Sequence, residues 1–169
     1  MIRIPVSNSA HDIHPFDSDK PGPVVLGGIE IECDQGIKAH SDGDVVLHAI
    51  VDAILGILAL PDKRDIGSLF PDNDPQWENA DSKIFLKAVM DLAEEHSTDI
   101  THINVQIACK KPRLSEHYET MVQNIAAITG MPAKNINIQA MSNNGCGPEG
   151  RGEAISALAT VNTLRPADG

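Results

Sequence analysis

The chain of 169 residues is 41% hydrophobic and 22% charged, and its formal net charge is −11. This length and composition predict one globular domain that spans residues 1–169. So acidic a surface argues against binding to nucleic acid, because it repels the phosphate backbone. No apolar run reaches the roughly 18 residues of a membrane span, and residues 1–20 lack a signal-peptide core, so we expect no membrane contact.

The three cysteines, Cys33, Cys109 and Cys146, lie far apart in the sequence, and no CxxC pair is present. This spacing indicates neither a disulfide framework nor a thiolate zinc site. Because unpaired cysteines fit a reducing compartment, we expect a cytoplasmic protein.

The N-terminal part of the sequence predicts short strands. Residues 1–4 indicate a strand, and residues 5–10 indicate a loop that leads to Asp12 and His14. Residues 24–32 contain two short β-prone runs on either side of a pair of glycines, which is typical of two strands joined by a tight turn.

The middle of the sequence predicts one long helix. Residues 44–60 are almost continuously apolar, which indicates a buried helix with Ser41 or Asp42 as its N-cap and Pro61 at its end. Residues 61–75 are rich in Pro and Asp and predict a loop too long for a simple connection. Turn chemistry alone explains that composition, but the length favours a lid or a sugar-binding loop.

The second half of the sequence alternates between helical and extended patterns. The predicted elements are a helix over residues 84–93, a strand over 101–109, a helix from Ser115 to Gly130, a strand over 135–140 and a final helix over 153–164. Strands that alternate with helices indicate an α/β domain of the two-layer α+β type, with a mixed β-sheet and helices packed on one face.

Two segments supply ligands for a metal ion. Asp12 and His14 are two residues apart, so an extended backbone points both side chains the same way. His48 lies in the long helix, where a histidine on its own is more often a hydrogen-bonded core residue than a ligand. Together, one carboxylate and two imidazoles suit Zn²⁺ with a fourth position open to a substrate oxygen. We expect Asp44, four residues before His48, to accept a hydrogen bond from its ring.

Other polar segments are candidates for phosphate binding. His40 and Ser41 precede the long helix, whose N-terminal amides attract phosphate oxygens, although N-capping alone explains Ser41. Residues 110–113 form the one basic cluster of an acidic chain, which is either a solvated corner or a diphosphate site. The glycine-rich residues 143–152 match neither the P-loop nor the dinucleotide fingerprint.

Three strings occur in a specific order and spacing: Asp12-x-His14; His40-Ser41-Asp42-Gly43-Asp44-x-x-x-His48; and Asp65-Ile66-Gly67-x-x-Phe70-Pro71-Asp72-x-Asp74-Pro75. Together they resemble the 2-C-methyl-D-erythritol 2,4-cyclodiphosphate synthase family of the non-mevalonate isoprenoid pathway, and the resemblance covers residues 2–164. It implies a homotrimer with active sites between adjacent subunits. The implied substrate is a nucleotide-linked polyol phosphate, 4-diphosphocytidyl-2-C-methyl-D-erythritol 2-phosphate, which is cyclised with release of CMP.

The resemblance also implies residue roles. One Zn²⁺ per subunit is expected on Asp12, His14 and His48, and His40 and Ser142 match the positions that stabilise the transition state. The methylerythritol and phosphate contacts match Asp12, Ile13, His14, His40, Ser41, Asp65, Ile66, Gly67, Phe70, Pro71, Asp72, Asn73 and Asp74. The cytidine and diphosphate contacts match Cys109, Lys110, Lys111, Pro112, Arg113, Leu114, Ser115, Met141, Ser142, Asn143, Asn144, Pro148 and Arg151.

The chain departs from the family's usual strings at several places. Met141-Ser142-Asn143-Asn144 stands where the family has Thr-Thr-x-Glu, and that glutamate binds a second divalent ion, Mg²⁺ or Mn²⁺, at the diphosphate. The neutral amide of Asn144 is a poorer ligand for such a hard cation. Residues 8–11 replace a Gly-x-Gly-x string, Pro148 replaces an aromatic residue, and residues 63–64 belong to an insertion.

Two other functions stay open at this stage. The Asn144 and Met141 departures are consistent with a non-catalytic relative that binds zinc and a nucleotide or isoprenoid diphosphate. A zinc hydrolase acting on another phosphoester is also consistent with the ligand set, although no residue stands out as a general base for water.

Overall fold

A five-stranded mixed sheet organises the chain, and its strand order is β4-β1-β7-β5-β6. The computed structural model describes residues 1–167. The strands of this sheet are β1 (Arg3–Asp17), β4 (Gly36–Ile37), β5 (Asp99–Ala108), β6 (Ile136–Met141) and β7 (Ala154–Pro166). Strands β5 and β6 are parallel, whereas the other neighbours are antiparallel. The expected mixed sheet is therefore confirmed.

A separate hairpin and five helices complete the fold. The hairpin strands are β2 (Val24–Leu26) and β3 (Ile29–Ile31), as the glycine pair predicts. The helices are α1 (Val45–Leu58), α2 (Ile66–Leu69), α3 (Ser82–Glu95), α4 (Tyr118–Thr129) and α5 (Gly147–Arg151). None of the helices within residues 1–167 is long and apolar enough to cross a membrane.

Helix α1 lies at the centre of the core, which explains its almost continuous apolar sequence. It packs against β1 and β7 on one side and against α3 on the other. Eleven of its 14 residues are buried. Burial of each large aliphatic side chain contributes roughly 1.5–3 kcal/mol, so this contact is a main source of the fold's stability. It also fixes the position of His48 relative to strand β1.

The final predicted helix is wrong. Residues 154–166 form β7, which lies between β1 and β5 as the central strand. Its residues alternate between a face buried under the helices and a face that carries Leu158, 39% exposed. Alanines at three positions suggested a helix, but pairing with two distant strands overrides that local preference.

The predicted loop over residues 5–10 is also wrong. These residues belong to β1, which pairs with β7 continuously from Arg3 to Pro15. Serine and asparagine are weak strand formers, but the ladder of hydrogen bonds to β7 holds them extended. Residues 61–75 are predicted as a loop, and in the structure this loop contains helix α2 and ends where a 3₁₀ turn starts at Pro75.

The predicted helix caps differ from the structure at two places. The N-cap of α1 is Asp44 rather than Ser41 or Asp42, because the Asp44 carboxylate accepts hydrogen bonds from the amides of Val46 and Leu47. Helix α4 begins at Tyr118 after His117, so Ser115 does not cap it. Gly130 ends α4 as predicted, with a φ of 71° that favours glycine.

Candidate metal centre and active-site cleft

Three side chains converge where helix α1 crosses strand β1. Asp12 Oδ2 lies 3.0 Å from His14 Nε2 and 3.2 Å from His48 Nδ1, and the two nitrogens are 3.3 Å apart. A tetrahedral zinc ion with bonds of about 2.0–2.1 Å holds its ligand atoms about 3.3 Å apart. The arrangement therefore fits one ion bound by Asp12, His14 and His48, as the sequence predicts.

Burial and mutual hydrogen bonding set the charges in this centre. Burial alone raises the pKa of Asp12, but hydrogen bonds with His14 and His48 outweigh it and hold the pKa of the carboxyl well below its usual range. Burial lowers the pKa of His48, but its hydrogen bond with Asp12 outweighs this and raises that pKa above the usual value. Asp12 is therefore ionised at neutral pH and available to a cation.

Asp44 does not orient His48, so that expectation is wrong. Its fully buried carboxylate accepts hydrogen bonds from four backbone amides, those of Gly27, Gly28, Val46 and Leu47. Burial raises the pKa of Asp44 to about 6, although the backbone hydrogen bonds oppose the rise. Because Asp44 accepts hydrogen bonds from the amides of Val46 and Leu47, these two amides at the start of α1 are not free for a phosphate group.

Two serine hydroxyls hold the other ring nitrogen of His48. Ser82 Oγ lies 2.8 Å from His48 Nε2, and Ser41 Oγ lies 3.2 Å from it. Sequence reasoning missed Ser82, which starts helix α3 and resembles an ordinary helix-start residue. Its position next to Asp81, the N-cap, gives no sign that its hydroxyl points to a histidine 34 positions earlier.

The metal centre lies in a cleft with a volume of about 320 Å³. Six further predicted site residues line this cleft: His40, Ser41, Ile66, Gly67, Phe70 and Asp72. Lys38, Trp77 and Phe85 also line it and were not predicted. The rings of Phe70 and Phe85 stack with their centres 4.3 Å apart, and Trp77 packs edge-on against both, so one wall of the cleft is apolar.

Several predicted residues near this cleft do not line it. Ile13 points to the opposite face of the sheet and is 42% exposed. Asp65 is the N-cap of α2, where it accepts hydrogen bonds from the amide and the hydroxyl of Ser68. Asp74 caps the 3₁₀ turn through the Gln76 amide, and Pro71 and Asn73 lie in the turn between these caps.

The basic cluster borders a second pocket of about 380 Å³. This pocket is lined by Lys110, Lys111 and Arg151 together with Phe16, Cys33, Asp34, Gln35 and Gly152. An adjacent groove adds Pro112 and Arg113. The side chains of Cys109 and Leu114 are 6% and 3% exposed and belong to the core. Burial raises the pKa of the Cys109 thiol to about 11, so this cysteine is an unreactive packing residue.

Residues 141–144 lie in neither cavity. Met141 ends β6, 43% exposed, and the Ser142 hydroxyl accepts a hydrogen bond from the Asn144 amide. Ser115 and Pro148 likewise line neither cavity. Within residues 1–167, the Asp12–His14–His48 triad is the one group of three acidic, histidine or cysteine side chains close enough to share an ion. Asn144 is not part of that group.

The fold and the site together define a small α/β protein with an Asp–His–His triad that could hold a metal ion on the helix-covered face of a mixed sheet. Residues 7–164 match the model of the YgbB family, and the chain belongs to that family. A 2-C-methyl-D-erythritol 2,4-cyclodiphosphate synthase of Acinetobacter baumannii (strain SDF) is 42% identical over 150 residues, which cover 89% of this chain and 91% of that protein. The predicted family is therefore confirmed.

Longer relatives carry the same unit. The bifunctional enzyme IspD/IspF of Oleidesulfovibrio alaskensis is 38% identical over 97% of this chain, and this chain spans only 40% of that protein. Among solved structures, the bifunctional IspDF of Campylobacter jejuni is 33% identical with a TM-score of 0.89, covering 98% of this chain and 43% of that one. The Plasmodium falciparum IspF–CDP complex is 28% identical with a TM-score of 0.81, covering 95% and 96% of the two chains.

Proposed function

We propose that this chain is a zinc-dependent 2-C-methyl-D-erythritol 2,4-cyclodiphosphate synthase of isoprenoid biosynthesis. It converts 4-diphosphocytidyl-2-C-methyl-D-erythritol 2-phosphate into the cyclic diphosphate and CMP. The convergence of Asp12, His14 and His48 in a cleft that also contains His40 carries the proposal. The names of relatives that match over nine-tenths of both chains support this activity over a non-catalytic role.

The reaction is an intramolecular phosphoryl transfer. An oxygen of the 2-phosphate forms a bond to the β-phosphorus, the bond from that phosphorus to the bridging oxygen breaks, and CMP leaves with the bonding pair. Such a transfer depends on positioning and charge neutralisation rather than on a protein nucleophile. Water is a competing nucleophile, and the apolar wall of Phe70, Trp77 and Phe85 helps to exclude it from the cleft.

Charge neutralisation falls to a few residues of the cleft. A zinc ion on Asp12, His14 and His48 would supply a Lewis acid for a phosphate oxygen. His40 Nε2 is buried and has no hydrogen-bond partner among the described residues, so it is available to donate a hydrogen bond to a phosphate oxygen. Lys38, at the same cleft, adds a positive charge.

We assign neutralisation of the diphosphate to Lys110, Lys111 and Arg151, because the neutral amide of Asn144 is a poorer ligand than a carboxylate for the second Mg²⁺ or Mn²⁺ ion that the family resemblance implies. These three cations line one pocket in an otherwise acidic protein. The proposed cytidine and diphosphate side is therefore separate from the zinc cleft within a single chain.

We propose that a homotrimer joins the two half-sites between neighbouring subunits. Helices α1, α3 and α4 pack on one face of the sheet, whereas the other face leaves Ile13 and Leu158 about 40% exposed. An uncovered apolar strip on a sheet is suited to contact with further copies of the chain. Light scattering of the purified protein tests this: three chains per particle support the proposal, and a monomer contradicts it.

The activity is tested by incubating the purified protein with the nucleotide substrate, with and without Mg²⁺. Mass spectrometry and phosphorus NMR then distinguish the products. Release of CMP with a cyclic diphosphate supports the proposal. A linear phosphate product points instead to the zinc hydrolase, and nucleotide binding without CMP release points to a non-catalytic relative. We also propose a cytoplasmic location, since the three cysteines are free thiols.

A further inference from the structure

A buried chain of hydrogen bonds continues from His48 away from the metal centre. His48 Nε2 lies 2.8 Å from Ser82 Oγ, and the Ser82 hydroxyl donates to Asp42 Oδ1 at 2.5 Å. Ser82 is fully buried and His48 is 6% exposed, so water does not compete for these bonds. The chain therefore runs from the Asp42 carboxylate through a hydroxyl to the ring that faces Asp12 and His14.

The direction of these hydrogen bonds follows from the number of protons. A serine hydroxyl has one proton, and in Ser82 this proton goes to the Asp42 carboxylate, which can only accept. Toward His48, the Ser82 oxygen must therefore act as an acceptor. A neutral ring then carries its proton on Nε2, and the lone pair on Nδ1 faces Asp12 and His14, whereas only a protonated ring also donates from Nδ1 to Asp12.

Asp42 is held rigidly enough to impose this direction. Its Oδ2 accepts from the Ser82 amide at 2.9 Å, and its Oδ1 also accepts from the Asp44 amide at 3.1 Å. The Asp42 amide donates to the carbonyl of Ala80. The carboxylate thus connects the segment before α1 to the segment before α3 and has little freedom to turn away from Ser82.

A second acceptor competes for the ring proton. Asp12 Oδ2 lies 3.2 Å from His48 Nδ1 and would accept a proton carried there. A ring with its proton on Nδ1 cannot bind an ion through that nitrogen. The Asp42–Ser82 pair opposes this tautomer by offering an acceptor at the far side of the ring.

We propose that Asp42 and Ser82 are positioning residues that fix the His48 tautomer with Nδ1 free for the ion. Metal-binding histidines often donate their other N–H directly to a carboxylate, and here a serine hydroxyl stands between the two groups. The proposal rests on the proposed zinc site, but the tautomer itself is measurable without metal or substrate.

The test is nitrogen NMR of the His48 ring in metal-free protein, at a pH where the ring is neutral. Wild type is expected to carry the proton on Nε2, whereas Ser82→Ala is expected to move it to Nδ1. Ser82→Thr, which restores a hydroxyl, should return it to Nε2. Ser9→Ala is the matched control, because it removes an exposed serine hydroxyl of β1 that contacts Thr160 Oγ1 at 2.8 Å and not His48.

Zinc affinity, measured by competition with a chromogenic chelator, gives the second readout. Loss of an outer hydrogen-bond partner weakens a metal site by about ten- to a hundredfold, so Ser82→Ala should fall in that range and Ser9→Ala should stay within about threefold of wild type. Asp42→Asn is the second variant if Ser82→Ala does not fold. Its amide NH₂ can donate to Ser82, which turns the hydroxyl proton toward His48 and predicts the same tautomer change.

An unchanged Nε2–H tautomer in Ser82→Ala or Asp42→Asn overturns the proposal, and so does unchanged zinc affinity in both variants. A protein that shows the predicted tautomer changes but releases no CMP would contradict the proposed function alone. A protein with normal CMP release but no tautomer change would contradict the positioning role alone.

Discussion

The loop that forms part of the cleft is held by one hydrogen bond to helix α1, and breaking it should weaken substrate binding. Asp52 Oδ1 accepts from the Ile66 amide at 2.6 Å. This bond fixes the start of α2, which brings Ile66 and Gly67 to the cleft. A hydrogen bond to an ionised group contributes about 1.5–3 kcal/mol, so Asp52→Ala should lower the equilibrium constant for ordering of the loop by about ten- to a hundredfold.

The expected consequence is a KM for the nucleotide substrate raised by up to about the same factor, with a smaller change in kcat. The assay is steady-state CMP release, with zinc content measured in parallel because the metal ligands are untouched. Asp62→Ala, at an exposed aspartate in the same loop, is the control and should behave as wild type. Burial raises the pKa of Asp52, so KM should also rise as pH falls through that raised pKa. A KM within about twofold of wild type in Asp52→Ala would refute the role of this bond.

Three other predictions concern the metal centre and the start of α1. His48→Ala should lose zinc while still folding. Because a bound ion stabilises the folded state, a chelator should lower the unfolding temperature of wild type but not that of the variant. A variant that retains one zinc per chain contradicts this prediction. A proton on His48 competes with zinc for the ring. Burial lowers the pKa of His48, but the hydrogen bond with Asp12 outweighs this effect and raises the pKa above its ordinary value. Zinc occupancy should therefore fall as pH drops through the raised pKa. Burial raises the pKa of Asp44 in the folded protein from its ordinary value of 3.8 to about 6, so its contribution to stability is present below about pH 4 and is lost as pH rises through 6. Relative to Asp44→Asn, which does not titrate, wild type should lose up to about 3 kcal/mol of unfolding free energy between pH 4 and pH 7, and parallel denaturant curves over that range check it.

The metal centre could be predicted from sequence because two of its three ligands are two residues apart and the third lies in a helix that is clearly part of the core. Asp12 and His14 share a face of any extended segment, and a continuously apolar helix must pack on the sheet, which brings His48 to them. The Asp42–Ser82 pair could not be predicted, because it depends on how the segment before α3 meets the segment before α1. The sequence pattern of neither segment indicates that the two segments are in contact.

The C-terminal strand shows where local preference misleads. Residues 154–161 contain three alanines, which favour a helix, yet Ile155 and Val161 alternate with polar positions such as Thr160 and Asn162. That period of two was visible in the sequence. It favours a strand while the alanines favour a helix, and only the pairing of β7 with β1 and β5 decides between the two structures.

The most direct test of the whole account is X-ray absorption at the zinc edge, on purified protein whose metal content is measured at the same time. We predict one zinc per chain, with two imidazole nitrogens and one carboxylate oxygen at about 2.0–2.2 Å and no sulfur neighbour. Zinc bound to sulfur, or a protein that holds no zinc when the ion is supplied, would contradict a metal centre built from Asp12, His14 and His48.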